Sequence, residues 1–94
     1  MNLIKKGDQT LLAACDEDLL DKTLKFKNID FKISKEFYGK ELVKAEEVIE
    51  NIKNVTITNL IGKNIVKLAI EHGIVHPDAI IDIAGTPHAQ IIRL

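Results

Sequence analysis

A single thiol, three imidazoles and two glycine-lysine steps are the groups in this 94-residue chain with reactive or ligating chemistry. Cys15 is the only cysteine, and His72, His76 and His88 fall within seventeen residues of one another. Cys15 with His76 or His88 as base, oriented by Asp16 or Asp78, has the residue types of a thiol nucleophile for acyl or phosphoryl chemistry. Cys15 also stands before an expected helix start, where the helix dipole lowers a thiol pKa. Against this, a cysteine that follows Leu11-Leu12-Ala13-Ala14 has the setting of a small buried hydrophobe. A zinc site needs several ligands converging on one point. Gly73 is expected to end a helix between His72 and His76, which removes the i, i+4 histidine pair, so no metal site is expected. No motif for a cofactor is present either.

A second candidate is the segment Thr58-Asn59-Leu60-Ile61-Gly62-Lys63-Asn64. With Asn59 as cap, it offers a helix N-terminus whose open amides, glycine and Lys63 could receive a phosphate. It lacks the G-x-x-x-x-G-K-[ST] spacing of a P-loop, and close packing against the sheet is the favoured role of Gly62. A third candidate is the cluster formed by the four aromatic residues, Phe26, Phe31, Phe37 and Tyr38, interleaved with Lys25, Lys27, Lys32, Lys35 and Lys40. Such a mixture suits bases stacking on rings while ammonium groups meet phosphates. Asp30, Glu36 and Glu41 dilute it, and Phe31 can instead face a core.

The elements that must position these groups follow from residue periodicity. Asn2–Lys5 and Thr10–Cys15 read as strands around a Gly7-Asp8-Gln9 turn, with Leu11, Ala13 and Cys15 on one face. Asp16, followed by Glu17 and Asp18, reads as the cap of a short helix to Thr23. Ile29, Phe31 and Ile33 alternate with Asp30, Lys32 and Ser34, a strand with one buried face. Residues 44–53 place Ala45, Val48, Ile49 and Ile52 on one side of an amphipathic helix. Val55–Thr58 reads as a brief strand. A helix capped by Asn59, with Ile61, Ile65, Leu68 and Ala69 in a stripe, is expected to stop at Gly73. Ala79–Ile83 and His88–Leu94 read as strands joined at Gly85-Thr86-Pro87 and covered on both sides. The sum is an α+β fold: a mixed sheet of about four to six strands with two or three helices packed on it, in one domain over residues 1–94.

Composition narrows the function classes. Apolar residues are 46% of the chain and charged residues 29%, which excludes disordered and low-complexity classes. Residues 1–54 carry 21 of the 27 charged residues, and net charge is −1. That removes binding of nucleic acid by overall charge, though not by a local patch. No apolar run approaches a bilayer span, and Met1–Gly7 has two lysines but no apolar signal segment, so a cytoplasmic protein is expected.

Taken together, Leu12-Ala13-Ala14-Cys15-Asp16, Glu36-Phe37-Tyr38-Gly39, Thr58-Asn59-Leu60-Ile61-Gly62, His76-Pro77-Asp78-Ala79 and Pro87-His88-Ala89-Gln90-Ile91 resemble the mainly archaeal family called domain of unknown function 424, over nearly the whole chain. The resemblance implies an archaeal cytoplasm and no known activity. It marks Cys15, Tyr38, Gly39, Asn59, Gly62, His76, Pro77, His88 and Gln90 as the polar or special positions of the pattern. Lys44 departs from the capping residue of that pattern, which weakens the start of the middle helix. The candidate binding set is Tyr38, Gly39, Asn59, Gly62, Lys63, His76, His88 and Gln90. It would lie where the first helix start, the third helix start and the C-terminal turn converge. The expected function is an accessory module binding RNA or a translation-related complex. The alternatives are a small enzyme using Cys15 with His76 or His88, and a homo-oligomer pairing its sheet edges around residues 76–90.

Overall fold

The computed structural model describes residues 1–39 and 41–93. Lys40, of the lysine cluster, and Leu94, of the last strand, lie outside the described residues. The fold is α+β. Strands β1 (Asn2–Lys6), β2 (Gln9–Cys15), β5 (Ile57–Ile61), β6 (Ile81–Ile83) and β7 (Thr86–Ile92) form a sheet in the order β1-β2-β5-β7-β6. Only the β2–β5 pair is parallel. Strands β3 (Thr23–Phe26) and β4 (Ile29–Lys32) form a separate antiparallel hairpin. Helices α1 (Lys35–Tyr38), α2 (Ala45–Ile52) and α3 (Lys63–Glu71), with 3-10 turns at Glu17–Leu19 and Pro77–Ala79, complete the chain.

Side chains alternate across a strand, so the central sheet divides its residues between two layers. One face carries Leu12, Ala14, Leu60 and Ala89, which α2 covers with Val48, Ile49 and Ile52 and α3 with Ile65, Val66 and Ala69. The other carries Ala13 and Ile61, against which Ile33, Tyr38 and the half-buried Leu24, Phe26, Phe31 and Phe37 pack. The aromatic residues therefore all fall on the hairpin side.

Local chemistry sets the ends of the elements. Lys27 and Asn28 both have positive φ, as do Ala84 and Gly85, the pattern of the tight turns that match strand twist. The C-terminal turn is thus Ala84-Gly85, one residue before the predicted one, and Thr86 and Pro87 belong to β7. Helix α3 stops at Gly73 as expected: the Gly73 N–H donates to the Ile70 carbonyl and the Ile74 N–H to the Ala69 carbonyl, closing its free end.

Several expectations are corrected. The segment after Cys15 is a single 3-10 turn, and Asp16 makes no side-chain cap on it; Thr23, the expected helix end, opens β3. The predicted Val55–Thr58 strand is Ile57–Ile61, so Asn59 and Ile61 lie in β5 and Asn59 caps nothing. A cap candidate before an apolar run reads as a helix start, but the run here begins with a strand buried on both faces. Gly62 precedes α3 instead. Phe37 and Tyr38 end the single turn of α1. The C-terminal strands are not covered throughout: Ile81 and Ile92 are 54% and 59% exposed because β6 is a sheet edge too short to flank all of β7.

Candidate functional site

Of the predicted site residues, Cys15, Asn59, His88 and Gln90 lie on one sheet face. The register aligns Cys15, Ile61, His88 and Ile81 in one row, and Ala13, Asn59 and Gln90 in the next. Cys15 and His88 are thus two strands apart, roughly 10 Å at ordinary strand spacing, with Ile61 between them. His88 packs its ring edge-on to Phe31, centroids 6.2 Å apart, and burial lowers its pKa from 6.5. His76 sits in a different place, exposed after α3, where its Nδ1 accepts the Asp78 N–H at 3.0 Å and caps the 3-10 turn at Pro77. The thiol is therefore not paired with either histidine.

Convergence occurs at the C-terminal ends of the parallel pair β2 and β5. Asp16 leaves β2 and Gly62 leaves β5 side by side. The Asp16 N–H donates to the Ile61 carbonyl and the Gly62 N–H to the Pro87 carbonyl. The Asp16 carboxylate then accepts from the Asn64 N–H at 2.8 Å and the Ile65 N–H at 3.0 Å. It thereby supplies the α3 cap from 48 residues upstream, negative charge at the positive helix end. The predicted phosphate seat is therefore occupied by the chain's own carboxylate, and Lys63 is left exposed beside it. Gly62 is explained by the same contact. Its φ is +127°, and a Cβ there would collide with the Asp16 carboxylate. Gly39 has an equivalent reason, since a Cβ would collide with the Met1 carbonyl.

Next to this clasp is a hollow of about 180 Å³ lined by Ala14, Cys15, Asp16, Tyr38, Gly39, Val43 and Ile65 among others. The Cys15 thiol is pushed up from 9.0 to about 11, chiefly by burial, with Asp16 and Asp18 adding to the rise and the N-terminal ammonium opposing it. At neutral pH it is a protonated thiol, the reverse of an activated nucleophile. Burial, and then the neighbouring Cys15, push the Tyr38 hydroxyl up from 10.0 to about 12. The structure thus gathers Cys15, Tyr38, Gly39 and Gly62, with Lys63 on the adjoining turn. Asn59 and Gln90 lie together further along the same sheet face, and His76 stands apart.

The lysine and aromatic cluster separates into two layers. Register pairs Leu24 with Phe31 and Phe26 with Ile29 on the side facing the sheet, and Thr23 with Lys32 and Lys25 with Asp30 on the outer side. Tyr38 is 3% exposed and Phe37 packs edge-on to it at 4.9 Å. No shared stacking face of rings and lysines exists among the described residues. Lys27 lies 5.3 Å from the Phe26 ring centroid, and Lys35 pairs with Asp21 at 3.2 Å. Two anchors escaped the sequence reading: the Asn2 amide, which donates to the Glu36 and Phe37 carbonyls at 3.2 and 2.9 Å, and Asp16 as the cap of a remote helix. Only Gly62, a glycine directly after an apolar strand, signalled the second.

A family described as a protein of unknown function, DUF424, matches residues 4–94. The chain belongs to the DUF424 family. A crystal structure of an uncharacterized conserved protein from Methanopyrus kandleri is similar to it, with 30% identity over 99% of this chain and 91% of that one and a TM-score of 0.80. No curated protein matches. Among the described residues, no helix is long and apolar enough to cross a membrane.

Proposed function

We propose that this DUF424 protein is a cytoplasmic binding module for RNA, free or within a translation-related particle, and that it meets phosphates with the outer face of the β3–β4 hairpin. The observation that carries the reading is the layering of that hairpin. Leu24, Phe26 and Phe31 on its apolar side pack on the sheet, with Ile29 at the turn left exposed, while Lys25 and Lys32 stand on the outer side with Lys22 and Lys27 at its ends. Among the described residues none of these four lysines has a carboxylate in ion-pair range, whereas Lys35 and Lys53 do. With the rings turned inward, such a surface reads phosphate and shape rather than base identity.

Four phosphate contacts on a single strand give a log K against log salt slope of roughly −3. Binding of total RNA, measured by filter retention across a salt series, should show it. The K25E/K27E/K32E variant should lose retention, while Lys67→Glu on α3 should not. Absence of retention at ~50 mM salt, or equal retention by the triple variant, would refute the reading.

A second reading rests on a different observation. β6 pairs with β7 only from Thr86 to His88, so Ala89–Ile92 presents an outer edge with no strand on it among the described residues. A second copy pairing along that edge would make a homo-oligomer. Sedimentation at micromolar concentration tests it, and a monomer there removes it. The enzyme alternative with Cys15 and His76 or His88 draws no support from the geometry.

A further inference from the structure

Beside the clasp, the hollow between the end of β2, α1 and the starts of α2 and α3 holds one unmet polar group. Tyr38 is 97% buried by its 3% exposure, yet its hydroxyl has no hydrogen-bond partner among the described residues. Among the described residues no side-chain polar atom is both sealed from solvent and unpartnered. The hydroxyl therefore reaches open space, and the open space that Tyr38 lines is this hollow. The phenol hydroxyls of rings buried to this degree ordinarily find a partner.

We propose that the hollow is a binding site for a small, uncharged, mainly apolar molecule with one carbonyl oxygen, which accepts a hydrogen bond from Tyr38 while Cys15 lies alongside. Size sets the first limit. The volume of about 180 Å³ is close to that of an apolar cavity that takes a single benzene-sized guest. Shape and lining set the second, since Ala14, Val43, Val48 and Ile65 present hydrocarbon walls. Charge sets the third. Asp16, Glu17 and Glu41 stand around the hollow against one ammonium, that of Met1, so an anionic guest is disfavoured. Both polar groups inside are protonated at neutral pH and act as donors, which selects an acceptor in the guest. The site is independent of the hairpin lysines, and so of RNA binding.

Tyr38 is the only tyrosine and the chain has no tryptophan, so the intrinsic ultraviolet fluorescence of the whole protein reports this hydroxyl. Titration with cyclohexanone, benzene and cyclohexanecarboxylate separates the three limits. The expected result is a saturable emission change with cyclohexanone, roughly threefold to tenfold tighter than benzene, and weaker binding of the carboxylate than of either. In Tyr38→Phe, followed through the amide resonances of Ala14, Cys15 and Ile65, ketone and benzene should bind equally. Ala45→Leu, which narrows the mouth at an exposed position, should weaken both. The proposal is overturned if no saturable change occurs, if the carboxylate binds best, if the ketone has no advantage over benzene, or if that advantage survives Tyr38→Phe.

Discussion

On one side of the five-stranded sheet, α2 and α3 press Val48, Ile49, Ile52, Ile65, Val66 and Ala69 onto Leu12, Ala14, Leu60 and Ala89, and every one of these is buried. On the other side the cover is a hairpin of two four-residue strands and one turn of helix, and it stops short. A row running Ile4, Leu11, Ile57 and Ile92 crosses four strands on that face, and it is left partly open, with Ile4 38% and Ile92 59% exposed. The two layers also differ in chemistry. The helical layer is aliphatic. The hairpin layer holds all the aromatic rings, the thiol, His88 and, on its outer surface, the unpaired lysines. Stability is concentrated in the first, and the groups able to bind something in the second.

The largest effect expected from this contrast is Leu60→Ala, at about 2–5 kcal/mol because a 0%-exposed leucine is removed from between the sheet and the helices. Phe31→Ala, in the half-buried opposing layer, should cost about 1–2 kcal/mol. Urea denaturation of both compares the layers directly, and equal losses would break the comparison. Gly62→Ala, at the boundary where a Cβ meets Asp16 at φ +127°, should cost roughly 2–3 kcal/mol through backbone strain and a disturbed cap. Asp16→Ala should cost about 0.5–2 kcal/mol, and Asp16→Asn less, since the amide oxygen still accepts one N–H.

Titration sharpens the contrast further, since the shifted groups all lie on the hairpin side. Cys15 and Tyr38 have folded pKa values raised to about 11 and about 12. Their protonated forms are favoured by the fold, so the Cys15 contribution is complete below pH 9 and lost as pH rises through about 11, and the Tyr38 contribution is complete below pH 10 and lost through about 12. Cys15→Ala should flatten the decline of Tm over that window. His88 has the opposite sign. Its folded pKa lies below 6.5, so its contribution is complete above 6.5 and lost as pH falls through the folded value, and His88→Gln should blunt the acid limb. The smallest effect is K25E/K27E/K32E, whose stability should stay within about 0.5 kcal/mol per site while RNA retention falls.

The helical layer was legible in the sequence because its period is local. Val48, Ile49 and Ile52 announce α2, and Gly73 announces the end of α3. The hairpin layer was only half legible. Ile29, Phe31 and Ile33 gave β4, but Thr23–Phe26 offers a lysine and a threonine against two apolar residues and sits where Asp16 promised a helix. Asn59 was misplaced for a related reason. The rule that an asparagine before an apolar run begins a helix assumes that the cap is supplied from next door, whereas α3 receives its cap from Asp16 on a neighbouring strand. Likewise Cys15, Tyr38, Gly39 and Gly62 could be picked out by type, but their meeting depends on the parallel pairing of β2 and β5, which no local pattern encodes.

That remote cap also orders events in time. Before the Asp16 carboxylate can reach the Asn64 and Ile65 amides, the chain must bring together β2 and β5, with the hairpin and α2 in the stretch between them. Closing so long a loop is repaid only once many contacts exist. The clasp is therefore a late event on the way to the native state and an early one on the way out. Weakening it should hasten the escape of α3 from the sheet and leave the rate of arrival almost untouched.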